Sequence, residues 1–180
     1  ALAEAENESY SNNASGVWAS LFLTHLAGTE VPAVERHALV EEALGSPSVE
    51  RRLLGVQALG EALRTHEFGD TTGEVRGGRA VPPRWRPRTY GEDWAARRSA
   101  LALLDGARHD ESQGVRDAAT DALIDSWVGL AQMGLGDDAV SRLEALELIS
   151  EAHRARLRSE IEMVLDSDSN VSPELRTRLE

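Results

Sequence analysis

An all-α fold of stacked antiparallel helix pairs, interrupted by one long irregular insertion, follows from three features of the sequence. The 180 residues are dominated by Ala, Leu, Glu and Arg, all good helix formers. Apolar residues recur at steps of three and four, the period of one buried helical face. The connections between those segments are short, apart from one. No stretch alternates as a strand would.

About eight helices are expected. The first covers about Ser15 to Ala27, with Trp18, Leu21, Phe22, His25 and Leu26 on one side and Gly28 as its stop. The second follows Val31-Pro32 and ends at Gly45, since proline suits a first helical turn. The third follows Ser46-Pro47, reaches about His66, and carries Val49, Leu53, Val56, Leu59 and Leu63 on its apolar face. Then Gly69, Gly73, Gly77, Gly78, Pro82, Pro83 and Pro87 break any regular element, giving an insertion over about 67–90. Long insertions of this kind are commonly functional. Thr89 with Glu92 reads as a capping box for a helix bearing Trp94, Arg97, Leu101 and Leu104. Ser112 caps a helix with Val115, Ala119, Ala122, Leu123, Trp127 and Leu130, which Gly134 and Gly136 end. Asp137 caps the next, with Val140, Leu143, Leu146 and Ile149; a further helix carries Leu157, Ile161 and Val164, and Ser172-Pro173-Glu174 begins the last.

Composition narrows the function. Apolar residues are 41% and charged residues 28%, which suits one globular domain over 1–180. Aromatics are only 4%, so the core must be Leu, Ala and Val. A net charge of −12 repels phosphate backbones and argues against nucleic acid as a partner. The absence of cysteine excludes disulfides, thiolate catalysis and cysteine-bound zinc. No run approaches the ~20 apolar residues that cross a bilayer, and the first residues lack a basic-then-apolar signal, so no membrane partner and a cytoplasmic location are expected. All 19 basic residues are Arg, which fits a GC-rich bacterial genome. The chain opens Ala1-Leu2-Ala3-Glu4 and ends Leu179-Glu180, as expected of a piece of a longer protein.

A repeat underlies the pattern. Arg52-Leu53-Leu54-Gly55-Val56-Gln57-Ala58-Leu59 and Arg116-Asp117-Ala118-Ala119-Thr120-Asp121-Ala122-Leu123 both read Arg, two residues, a small residue, two residues, Ala, Leu. A valine precedes each, Val49 or Val115. The offset is 64 residues, and removing an insertion of roughly 24 leaves about 40, within the HEAT and armadillo range. Looser matches lie at Arg97-Arg98-Ser99-Ala100 and Arg142-Leu143-Glu144-Ala145. From Pro32 to about Asp166 the chain resembles the HEAT-like (armadillo-type) helical-repeat family, and that resemblance implies a right-handed α-solenoid; a non-repetitive helical bundle remains the alternative. The stretch from Asn7 to Trp18 is similar to helical regions of long bacterial proteins joined to NTPase-type domains, although without Lys no Gly-Lys-Ser or Gly-Lys-Thr phosphate loop exists here.

The candidate binding residues lie in the insertion. Arg76, Arg79, Arg84, Arg86 and Arg88 occur with no acidic residue between Val75 and Tyr90, interleaved with Trp85 and Tyr90 and followed by Trp94. Arg and Trp dominate binding hot spots. The same residues would also serve a loop folded back on the acidic helices with Trp85 in a groove. Paired carboxylates such as Glu41-Glu42 and Asp137-Asp138 suit helix surfaces and caps, and no Gly-x-Ser-x-Gly elbow occurs. The five histidines show no His-Glu-x-x-His spacing, so no metal and no cofactor are expected. Asp166-Ser167-Asp168-Ser169-Asn170 opens like a calcium loop, but Val171 and Thr177 stand where Gly and Glu are needed. The leading expectation is a non-enzymatic protein-interaction or scaffold module, partnered by another protein or by other domains of its own chain. The alternatives are a ligand-ordered sensor segment and a HEAT-like DNA-binding protein or DNA glycosylase-like enzyme. The last would need a groove-facing Asp and Trp, and Asp93-Trp94 is the one adjacent pair.

Overall fold

The computed structural model describes residues 14–25, 27–65, 84–144, 150–166 and 172–179. Of these 78% are helical and none lies in a strand, so the all-α class stands. Residues 67–83 of the expected insertion, with Arg76 and Arg79, lie outside the described residues. So do Asn7 to Asn13, Leu26, Leu146, Ile149 and the stretch from Ser167 to Val171.

Helix α1, Ala14–Ser20, is shorter than the expected run to Ala27. Beyond Ser20 the chain tightens, with Leu21 N–H reaching Trp18 C=O at 3.2 Å and Phe22 N–H reaching Ala19 C=O at 3.0 Å. The carbonyls of Leu21 and Leu23 then accept from the Arg36 guanidinium, and Thr24 Oγ1 donates to Ala62 C=O at 2.7 Å. Tertiary partners thus take the place of further helical bonds. Gly28, at φ 69, turns the chain well after the helix has ended.

Helix α2 is Ala33–Leu44, with Pro32 as its cap and Gly45 as its end. Helix α3 is Val49–Leu63, capped by Ser48, whose hydroxyl accepts from Arg51 N–H at 3.2 Å. Helix α4 is Tyr90–Ala107, and Thr89 Oγ1 accepts from Glu92 N–H at 3.1 Å. The Glu92 carboxylate accepts from Arg88 N–H, one residue upstream of the usual capping-box partner. Helix α5 is Gln113–Leu130; its cap Ser112 makes no side-chain cap bond. A wide π turn, Ala131–Leu135, continues α5 without a stop, and Gly134 at φ 84 supplies the break. Gly136 opens helix α6, Gly136–Glu144, instead of closing α5. Helices α7, Glu151–Asp166, and α8, Pro173–Leu179, follow; Ser150 and Ser172 hydroxyls accept from His153 and Leu175 N–H.

Two turns 64 residues apart share a set of hydrogen bonds. Ser46 Oγ accepts from Ser48 N–H, and Asp110 Oδ1 accepts from Ser112 N–H. Arg52 Nη1 donates to Ser46 and Pro47 carbonyls at 2.9 and 3.4 Å; Arg116 Nη1 donates to Asp110 and Glu111 carbonyls at 2.6 and 3.0 Å. The two valines do not correspond, because Gln113 stands 64 residues after Val49. What recurs is an arginine four residues after the cap, folded back over the incoming chain. Arg36 and Arg176 repeat the device on the carbonyls of Leu23 and Leu165.

Helix α2 packs on α3 and α4; α3 packs on α4 and most extensively on α5; α5 packs on α6 and α7. One cluster of buried residues runs through them, including Val40, Leu59, Leu63, Leu101, Leu123 and Trp127. Each such side chain contributes about 1.5–3 kcal/mol by leaving water. Trp127 and the Leu-Ala-Val core fall where the periodicity places them.

Candidate functional site

Two features face outward from this frame. The first is a groove of about 830 Å³ between α3 and α5. Its floor is made by small residues, including Gly60, Ala118, Ala122 and Gly129, which let the two helices approach closely. Its rim carries Glu61, Asp121 and Asp125. Arg64 pairs with Glu61 at 2.9 Å, and Arg156 of α7 reaches both Asp121, at 2.8 Å, and Asp125. These rim residues were not among the sequence candidates. Asp121 and Asp125 lie one turn apart on a single face, and that spacing was the available signal.

The second feature is the described part of the arginine–aromatic segment. Trp85 N–H donates to Thr29 C=O at 2.8 Å, and the Arg36 guanidinium stacks over the Trp85 ring at 5.7 Å. Trp94 is half-buried; its indole N–H donates to Met133 C=O at 3.1 Å and Arg98 lies over its ring at 5.7 Å. Tyr90 is 79% exposed and tilted against Trp94 at 6.4 Å. The two tryptophans are therefore anchored to separate elements, while Tyr90 faces solvent. Arg84 is half-buried, and Arg86 and Arg88 are exposed.

Beneath the segment lies a buried charge cluster. Arg97, 1% exposed, donates from Nε to Asp93 Oδ1 at 2.9 Å and from Nη1 to Arg64 C=O at 2.8 Å. His25 Nε2 lies 3.5 Å from the same Asp93 oxygen. Burial pulls the Asp93 carboxyl up, but the His25 hydrogen bond and the Arg97 charge outweigh it and hold the group below its ordinary value. Arg97 and Thr24 both reach the Ala62 carbonyl near the end of α3, and Arg97 also reaches that of its cap Arg64, at a helix end without a glycine. Asp93 thus points into the protein and Trp94 toward Met133, and the pair does not share an open face.

His37 is a second buried titratable group, 3% exposed. Its Nδ1 lies 3.0 Å from Ser99 Oγ, joining α2 to α4. Burial, then the Arg36 charge, lowers its pKa from 6.5 to about 4, so it is neutral at physiological pH. Among the described residues no group of three metal-ligating side chains converges. No helix among them is long and apolar enough to cross a membrane.

Compared with protein-family models, with characterised proteins and with solved structures, the chain finds no match in any of the three.

Proposed function

We propose that this chain is a HEAT-like helical-repeat module, a right-handed α-solenoid that works by binding another protein. The α3/α5 groove is one contact face and the segment from Arg84 to Trp94 is a second. The observation that carries the reading is the order of packing. Each of α2, α3 and α5 touches its hairpin partner and the next hairpin, which lays α3 and α5 side by side as one surface. The duplicated Ser-cap and arginine device at an offset of 64 supports the same reading. A groove with an apolar floor and charged rim is the anatomy of a protein contact, with a core that excludes water and a polar edge.

The test places a photo-crosslinking residue at Gln57 or Gln132, both exposed on the groove, in cells that naturally make the chain. Both positions should yield an adduct with one common protein, and Ala122→Arg, which fills the floor, should abolish it without unfolding the chain. Adducts no different from those at Arg158, on the exposed side of α7, would refute the reading.

A further inference from the structure

Most arginines among the described residues are engaged. Arg51, Arg52, Arg64, Arg97, Arg98, Arg108, Arg154, Arg156 and Arg178 reach carboxylates. Arg36, Arg116, Arg142 and Arg176 reach main-chain carbonyls. Among the described residues the guanidinium groups of Arg84, Arg86, Arg88 and Arg158 alone make neither kind of contact. Three of these four stand at alternate positions of one short segment. In a chain of −12 with 31 acidic residues, three such guanidinium groups in one segment, none reaching a carboxylate, call for a physical reason.

The segment is held open, not left loose. Pro87 confines Arg86 to extended backbone. Trp85 N–H is fixed to Thr29 C=O, and Arg88 N–H is fixed to the Glu92 carboxylate at the start of α4. Residues 84–87 adopt neither helix nor turn. Along extended backbone, alternate residues stand at most ~7 Å apart, so Arg84 and Arg86 form a short comb that Arg88 continues from the bend before α4. The main-chain groups of Arg86 bond to nothing among the described residues and remain free to pair with an added strand.

We propose that this comb receives an extended acidic peptide segment of a partner protein, with Asp or Glu at alternate positions opposite Arg84, Arg86 and Arg88. The proposal rests on the reading of the chain as a protein-binding module and names the chemistry of one contact. The spacing of alternate side chains is the same on both strands, so each carboxylate meets one guanidinium across the pair. Free main-chain groups at Arg86 favour a peptide, whose backbone N–H and C=O alternate in the register of an extended strand, over a nucleic acid, whose phosphate backbone accepts but does not donate. The Glu92 carboxylate, bonded to the Arg88 N–H, closes the far end of the comb. Because the segment is already fixed, little ordering entropy opposes binding.

The test titrates the intact chain with a labelled peptide alternating Glu and Thr, its isomer with all Glu in one block, and an oligothymidylate of similar length. The alternating peptide should bind at least fivefold more tightly than the block isomer. The triple variant R84Q/R86Q/R88Q should lose at least tenfold of that affinity while unfolding at the unchanged denaturant midpoint, and R158Q should change neither. The single R86E, which is exposed, should weaken binding severalfold on its own. Equal binding of the block isomer, tighter binding of the oligothymidylate through the same arginines, an unaffected triple variant, or a triple variant that unfolds early would each overturn the proposal. Crosslinks at Gln57 and Gln132 together with any of those outcomes would sink the comb and leave the module reading in place. Peptide binding without crosslinks would do the reverse for the groove.

Discussion

The turn joining α2 to α3 and the turn joining α4 to α5 use one device at two strengths. In both, a side chain two residues before the cap accepts from the cap N–H, and an arginine four residues after it folds over the turn carbonyls. The first turn uses the Ser46 hydroxyl and the second the Asp110 carboxylate. That change of one residue type gives Arg52 a further partner. Its Nε lies 3.0 Å from Asp110 Oδ2, an ion pair off the line of a hydrogen bond, with both side chains largely buried. Arg116, half-buried, caps only its own turn. A local capping motif has thus gained a polar link from one hairpin to the next, beside those of His37 with Ser99 and of Arg97 with the end of α3.

The largest effect expected from this difference is at Arg52. Arg52→Ala removes the guanidinium that closes the first turn and leaves the largely buried Asp110 carboxylate without its counter-charge, so it should cost about 3 kcal/mol in denaturant unfolding. The second effect concerns His37, where the other hairpin carries Leu101 at the same offset. His37 is neutral when folded, with a pKa of about 4, and protonates near 6.5 when unfolded. Its folded value is the lower one, so the unfolded state takes up the proton first and stability falls as the medium is acidified. Between about pH 7 and pH 5 the loss should reach roughly 2 kcal/mol, and His37→Leu should remove that slope. Gly129→Ala comes next, since a Cβ there would overlap the Thr65 side chain that closes the same helix crossing. It should cost about 1–2 kcal/mol despite alanine's better helix propensity. Arg116→Ala should cost the least, about 1 kcal/mol, because its carbonyl partners can turn to water.

Much of this was legible beforehand. The caps Thr89 and Ser172 and the stop at Gly45 sit where local chemistry places them. Local chemistry misled where distant groups competed for the same backbone. Helix α1 ends early because Arg36 and Thr24 bind across to other segments, Thr24 to Ala62 far along the chain, and helical periodicity registers neither bond. Gly134 and Gly136 look alike in sequence, yet only Gly134 has positive φ; Gly136 is small because Leu175 of α8 packs against it. At the candidate site, the charge run was plain, but its meaning was not. Arg97 and Arg88 lie nine residues apart, one sealed against Asp93 and the other free, and burial alone separates them. The groove rim was missed because Asp121 and Asp125 gain their role from Arg156 on another helix. The recurrence of Arg four residues after a cap, at positions 36, 52, 116, 154 and 176, was present in the sequence and is the signal most worth reading in similar chains.

The link between hairpins is tested most directly by a double-mutant cycle on Arg52 and Asp110, using Arg52→Met, Asp110→Ser and the pair. Since Ser46 already serves the first turn, Asp110→Ser keeps the local cap and removes only the cross-hairpin charge. A coupling of about 1–3 kcal/mol is expected, with no comparable coupling between Arg116→Met and Asp110→Ser. Strict additivity of Arg52→Met and Asp110→Ser would show that the two hairpins are not joined through this arginine.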